Sequence, residues 1–324
     1  MKRTVIAAIV LLSFLVQTRY ALSQVDLCAA YPVKGTPEEA ILECSKQINS
    51  KVHVEHKERA YLNRALAYQA LNKFDEAIAD FTEAIELDPR YDKAYVDRGN
   101  TYLLKNLHDK AFADYDKAIS LNPKNAHAYF NRAQALEAAG KIEPALADFS
   151  KVIELAPDLD IAYRKRGTIY LALGRYEQAA ADFTRAIELV PKNPKNDEAY
   201  NSLGAIHMLQ RKIDSAVADF TEAIAMNPKY DQAYSNRGAA YQNKGRYDEA
   251  LSDYRKALEL NANNASAYYN MASLYSLKNN TNESCSWLLK AVDKGYDNWD
   301  LMKKDPDLDN IRKAECFKKI IGNK

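Results

Sequence analysis

From Glu58 onward, small and bulky apolar residues recur at helical spacing in two bursts, and the whole alternation returns every 34 residues. In the unit beginning at Asp231, positions 4, 8 and 11 (Tyr234, Gly238, Tyr241) share one helical face, and positions 20, 24 and 27 (Ala250, Tyr254, Ala257) share a face of a second helix. Asn, Gly or Arg near position 15 breaks the helix between them, so each unit predicts a helical hairpin. Units start at Glu58, Asp92, Ala126 and Asp160; three extra residues, Pro194, Lys195 and Asn196, shift the next starts to Asp197, Asp231 and Ala265. Position 3 is always Ala, position 4 always Tyr and position 8 always Gly or Ala. Small residues at 8, 20 and 27 let two helices approach closely, while bulky ones at 4, 11 and 24 fill the gaps. Pro at position 32 (Pro89, Pro123, Pro157, Pro191, Pro228) closes the second helix, because the residue before a proline is pushed out of helical geometry.

One hairpin cannot bury its own apolar face, so copies must stack. The ends read as covers for the stack. Residues 37–49 form a lone helix with Ala40, Cys44 and Ile48 on one face, Thr36 as its N-cap and Pro37 at its first position. After Gly295 the period lapses, and Tyr296, Trp299, Leu308, Ile311 and Phe317 supply the inner face of a closing cap. The expected organisation is a signal peptide over 1–23, a one-helix N-terminal cap over 24–57, seven repeats over 58–298 and a helical C-terminal cap over 299–324.

A 34-residue period with an aromatic at 4, Gly or Ala at 8, Tyr at 11, Ala at 20, an aromatic at 24, Ala at 27 and Pro at 32 resembles the tetratricopeptide repeat. That resemblance implies an all-α, right-handed solenoid with a concave inner wall. It also implies that position 6 points into the groove. Here that position carries Asn63, Asp97, Asn131, Lys165, Ser202, Asn236 and Asn270. A ladder of amides, each offering donor and acceptor, is similar to the one by which some members of the family grip the backbone of an extended peptide; the alternative is that these amides only solvate the groove. Asp97, Lys165 and Ser202 depart from the ladder and point to charge-selective subsites. Other groove positions hold Arg59, Leu62, Val96, Asn100, His127, Phe130, Gln134, Arg164, Thr168, Met208, Tyr269 and Ser273. The expectation is that Leu62, Val96, Phe130, Met208 and Tyr269 are exposed to receive an amphipathic helix or an extended segment. The peptide-binding residues expected are Asn63, Asp97, Asn100, Phe130, Asn131, Gln134, Arg164, Lys165, Ser202, Asn236, Tyr269 and Asn270. The family's carboxylate clamp needs Lys, Asn and Arg in a set that no three consecutive repeats supply.

Arg at position 7 and Asp at position 23 recur together in five repeats, which predicts a structural ion pair between helices. His207 stands where position 11 usually has Tyr and is expected to be packed.

Composition adds limits. Lys plus Arg (45) and Asp plus Glu (44) nearly cancel, which argues against a nucleic-acid partner. Met1, Lys2 and Arg3 precede an apolar run from Val5 to Val16 and an Ala-x-Ser end at Ser23, the pattern of an export signal too short to span a bilayer. In an oxidising compartment the four cysteines suggest two bridges, Cys28 with Cys44 and Cys285 with Cys316, the alternative being four thiols. No nucleophile elbow, phosphate loop or metal motif is present, and His53 and His56 lack companion ligands. The reading is a non-enzymatic, cofactor-free, metal-free scaffold or assembly factor of the cell envelope, periplasmic or extracellular, binding a protein or peptide. The alternative is an accessory subunit positioning substrate for an envelope enzyme.

Overall fold

The computed structural model describes residues 36–50 and 56–322. The expected signal peptide, Cys28 and His53 lie outside the described residues. Every regular element among the described residues is helical, and no strand occurs there.

The hairpins follow the predicted register. Repeat one pairs Lys57–Ala70 with Phe74–Leu87, repeat two Asp92–Leu104 with His108–Leu121, and repeat three Ala126–Ala138 with Ile142–Leu155. Repeat four begins with Asp160–Ala172 and continues as Tyr176–Leu189. Repeats five, six and seven pair Asn196–Leu209 with Ile213–Met226, Asp231–Asn243 with Tyr247–Leu260, and Ala265–Leu277 with Thr281–Asp293.

The break between helices is a backbone event. Position 15 takes positive φ in every repeat: Asn72, Asn106, Gly140, Gly174, Arg211, Gly245 and Asn279. Glycine and asparagine enter this left-handed region at low cost, which explains why they dominate there. Close helix approach explains position 8. A Cβ on Gly238 would lie 2.6 Å from Tyr254 Cε1, and one on Gly204 would lie 2.6 Å from Phe220 Cε1. The position-24 side chains Phe81, Tyr115, Phe149, Phe183, Phe220, Tyr254 and Leu288 are all buried, and Tyr115, Phe183, Phe220 and Tyr254 lie against the position-8 glycines.

The described residues divide into two compact units, one within residues 1–166 and one within 167–324. In the first, the cap helix Pro37–Asn49 opens with a capping box: Thr36 Oγ1 accepts from the Glu39 amide, and Glu39 accepts from the Thr36 amide. Its Cys44 is fully buried beside Ala60, and Ile48 packs against them. In the second unit, two short helices outside the repeat pattern, Trp299–Lys304 and Glu315–Ile321, flank a 3₁₀ turn at Pro306–Leu308. Leu308, Ile311 and Phe317 are buried, and Tyr296 and Trp299 pack against the same cluster. The Cys285–Cys316 disulfide fastens this cap to the second helix of repeat seven.

Candidate functional site

The first helices carry the residues singled out for binding, and the two units treat them differently. In residues 1–166, the apolar side chains expected to be exposed are not. Leu62 and Val96 belong to the main core cluster. Phe130 meets Phe149 edge-on at 5.7 Å and is buried. The reason is that these side chains fill space between stacked hairpins, so a position that faces inward need not face solvent. Asn63, Asp97, Asn100, Asn131 and Gln134 are buried as well. Asn100 Oδ1 accepts the Tyr115 hydroxyl proton at 2.7 Å, which spends it on an internal bond. Arg164 donates to Asp160 one turn earlier, and Lys165 stays half-buried. His127 is pushed below its ordinary pKa by burial and by Lys93.

In residues 167–324 the position-6 side chains are half-buried and form a row. Asn236 Nδ2 donates to Asn201 Oδ1 at 2.9 Å, and one repeat later Asn270 Nδ2 donates to Ser235 Oγ at 3.2 Å. Asn236 Oδ1 accepts from Gln232 Nε2, and Ser202 Oγ donates to the Glu198 carbonyl. Part of the amide hydrogen-bonding capacity is therefore used to tie one first helix to the next. Met208 is half-buried.

Tyr269 is not exposed. Its ring stacks on Tyr296 with centroids 4.3 Å apart, and its hydroxyl donates to Asp305. Burial, and then the bond to Asp305, push its pKa well above the usual phenol value. Gln242 Nε2 donates to Asp307 at 2.8 Å and to Ser273 Oγ at 3.0 Å, while its Oε1 accepts from Tyr254. Asn310 Nδ2 donates to the Ser276 carbonyl. The C-terminal cap thus lies along the first-helix side of repeats six and seven. Sequence reasoning missed Gln242, Asp305 and Asp307, because the cap has no period from which a docking position can be read.

The recurring Arg–Asp pairs are interhelical and bidentate. Arg64 reaches Asp80, Arg98 Asp114, Arg132 Asp148, and Arg237 Asp253, with N–O distances from 2.7 to 2.9 Å. Each guanidinium also lies over the position-4 ring of its own repeat: Tyr61, Tyr95, Tyr129 or Tyr234. The hydrogen bond to Asp80, more than burial opposes it, holds Arg64 above its ordinary pKa. In repeat five, where position 7 is Leu203, His207 Nδ1 takes over and meets Asp219 at 2.6 Å. These are packing devices and not a reaction centre. No cluster of metal-ligating side chains occurs among the described residues, and no helix among them is long and apolar enough to cross a membrane.

Family models of the tetratricopeptide repeat match residues 58–91, 126–159, 164–231, 232–264 and 253–285, and a TPR-repeat model matches 99–140. No curated protein matches the chain. Among solved structures, YrrB, described as a TPR protein with an unusual peptide-binding site, is 24% identical over 58% of this chain and 95% of its own, with a TM-score of 0.52. PilF of Pseudomonas aeruginosa is 16% identical over 72% of this chain and 97% of its own, with a TM-score of 0.53. A tetratricopeptide repeat protein from Parabacteroides merdae is 19% identical over 78% and 98%, with a TM-score of 0.53. At these identities the likeness speaks for the fold. The period, the hairpins and the matched repeats together make this chain an all-α solenoid protein that belongs to the tetratricopeptide repeat family.

Proposed function

We propose that this protein is a non-enzymatic scaffold of the cell envelope that holds an extended peptide or a helix of a partner protein against its first helices. The observation that carries the reading is the chain's own C-terminal stretch. Asp305 caps a 3₁₀ turn and Asp307 lies within it, and both carboxylates accept from first-helix side chains, Tyr269 and Gln242. The chemistry of that face therefore suits a short, polar, non-helical segment. The same side carries Ser202 and Asn236, whose half-buried side chains present polar atoms one repeat apart. Amide side chains offer both a donor and an acceptor, which matches a peptide backbone without demanding a particular sequence. YrrB, by its description, binds peptide, and this supports the same reading here. The disulfide at Cys285–Cys316 and the export-like N-terminus are compatible with an oxidising location.

The test uses random peptides displayed on phage and selected against the mature chain, with affinities then measured by fluorescence anisotropy. Asn236→Ala is expected to weaken the selected peptides about tenfold, the cost of one lost bidentate backbone contact that leaves a partner unsatisfied. Peptides that tolerate Asn236→Ala and Ser202→Ala but lose affinity when the second-helix residue Arg255 is replaced would place binding on the other side and refute the reading.

A further inference from the structure

Repeats three and five depart from a rule that the other five keep; in repeat five His207 fills the place and pairs with Asp219, whereas in repeat three the departure leaves a cleft. Position 11 is Tyr in five repeats (Tyr68, Tyr102, Tyr170, Tyr241, Tyr275) but Leu136 in repeat three. Cations gather on Tyr68, Tyr102, Tyr170 and Tyr241. The position-7 guanidiniums of Arg64, Arg98 and Arg237 lie 5.9, 5.8 and 5.7 Å from Tyr68, Tyr102 and Tyr241. The position-16 cations Lys73, Arg175 and Arg246 lie 6.0, 6.0 and 4.6 Å from Tyr68, Tyr170 and Tyr241. In repeat three both cations remain. Arg132 lies over Tyr129 at position 4 and has Leu136 at position 11, and Lys141 turns to the ring of Phe112 in repeat two, 4.9 Å away.

A cleft of about 650 Å³ opens at this place. Phe112, Ala113, Leu136, Pro144 and Ala147 give it an apolar lining, and Arg132 and Lys141 line it too. Asp109, Asp116 and Asp148 also line it; Asp148 and Asp116 both hold Arg132, with the Asp116 contact at 2.6 Å. The charges nearly balance, which disfavours an anionic ligand. In repeats one and six a neutral ring stands here between the position-7 and position-16 cations. The cleft is large enough for such a ring together with the backbone that carries it.

We propose that this cleft, between the second helices of repeats two and three, docks a tyrosine side chain presented by a partner polypeptide. The incoming ring supplies the position-11 aromatic that Leu136 omits, with Arg132 and Lys141 facing it and Phe112 and Pro144 beside it. Arg132 and Leu136 reach this cleft from the first helix of repeat three, but it is separate from the row of Ser202 and Asn236, and its test does not depend on that reading.

The experiment is methyl NMR of the mature chain labelled at alanine methyls, titrated with N-acetyl-tyrosinamide, N-acetyl-leucinamide and p-cresol. The Ala113 and Ala147 signals are expected to shift saturably with the capped tyrosine. The capped leucine is expected to bind more weakly by a factor of about two to five, the contribution of a cation facing an aromatic ring. Leu136→Tyr installs the residue that five sister repeats carry, so the fold is retained, and it is expected to abolish the response. Three results would each overturn the proposal: no shift with the capped tyrosine, an equal response in Leu136→Tyr, or binding of p-cresol where the capped tyrosine fails, which would assign the cleft to a free small molecule. A shift that follows protein concentration alone would assign it to a second copy of this chain and overturn it too.

Discussion

Replacing Arg98 by leucine removes one half of a pair whose other half is almost without water. Arg98 Nε and Nη2 each donate to Asp114 at 2.8 Å, Nη1 donates to Thr82 Oγ1 at 3.0 Å, and the guanidinium sits between the rings of Tyr95 and Tyr102. The Asp114 side chain keeps only 8% of its accessible surface. Burial alone would lower the Arg98 pKa, yet the bond to Asp114 and its charge hold it above the usual value, so the ionic form is the one the fold prefers. In Arg98→Leu, the Asp114 carboxylate loses two charge-assisted bonds while remaining shielded from water. Breaking a fully buried pair from one side costs roughly 3–5 kcal/mol; with Arg98 retaining 15% exposure, about 3 kcal/mol is the working figure. Removing both partners, as Arg98→Leu with Asp114→Leu, abolishes the orphaned charge and fills the space between the two tyrosines with apolar atoms. The double variant is therefore expected to lose about 1 kcal/mol or less, since apolar replacements of buried pairs are often nearly neutral. Native-state hydrogen exchange in Asp92–Leu104 and His108–Leu121 reads the difference locally, which suits a repeat array whose units open separately. At about 1.4 kcal/mol per factor of ten, the single variant exchanges roughly a hundredfold faster than the parent and the double variant less than about tenfold faster. Equal acceleration in the two variants would refute the reasoning, because the loss would then come from packing around the arginine stem and not from a stranded carboxylate.

Other outcomes follow from the same geometry. Gly238→Ala drives a methyl to 2.6 Å from the buried Tyr254 ring, so it is expected to cost about 1–3 kcal/mol by overpacking, seen as a lower thermal midpoint; no change would show that the second helix shifts freely. Replacing Cys285 and Cys316 by serine opens a loop of sequence separation 31 and is expected to remove roughly 3–4 kcal/mol, measured by urea unfolding of the cap cluster. Asp307 has its pKa raised by burial, with Gln242 opposing and Asp305 and Asp309 adding to the rise. A carboxyl whose pKa is higher when docked binds more protons in that state, so cap docking is expected to tighten as pH falls through the raised value toward the ordinary carboxylate range. Limited proteolysis of 299–322 at about pH 7 and about pH 4.5 reads this, and Asp307→Asn is expected to remove the dependence.

The array is legible in the sequence because its physics is local. Tyrosine at 4, glycine or alanine at 8 and a left-handed residue at 15 each answer to a neighbour within the same hairpin, and the 34-residue period repeats that answer. The Arg–Asp pairs are legible for a similar reason: positions 7 and 23 keep their partners together in five repeats. Exposure is not legible. Whether Leu62, Val96 or Phe130 reaches solvent depends on how closely the next hairpin packs, and here the stack closes over them. Tyr269 reads as open because nothing in the aperiodic tail says where it turns, yet Asp305 and Asp307 bring that tail back onto repeats six and seven. Leu136 is visible in the sequence as a departure from tyrosine at position 11, but only the cations left around it give the departure a chemical meaning.

Whether the first helices form the face on which a partner polypeptide lies is tested most directly by photo-crosslinking. The photoreactive residue p-benzoylphenylalanine is placed at Ser202 on a first helix and, separately, at Arg255 on the exposed surface of a second helix, in cells producing the full chain. A discrete protein adduct is expected from position 202 and none from 255. An adduct from 255 alone would contradict a first-helix binding face.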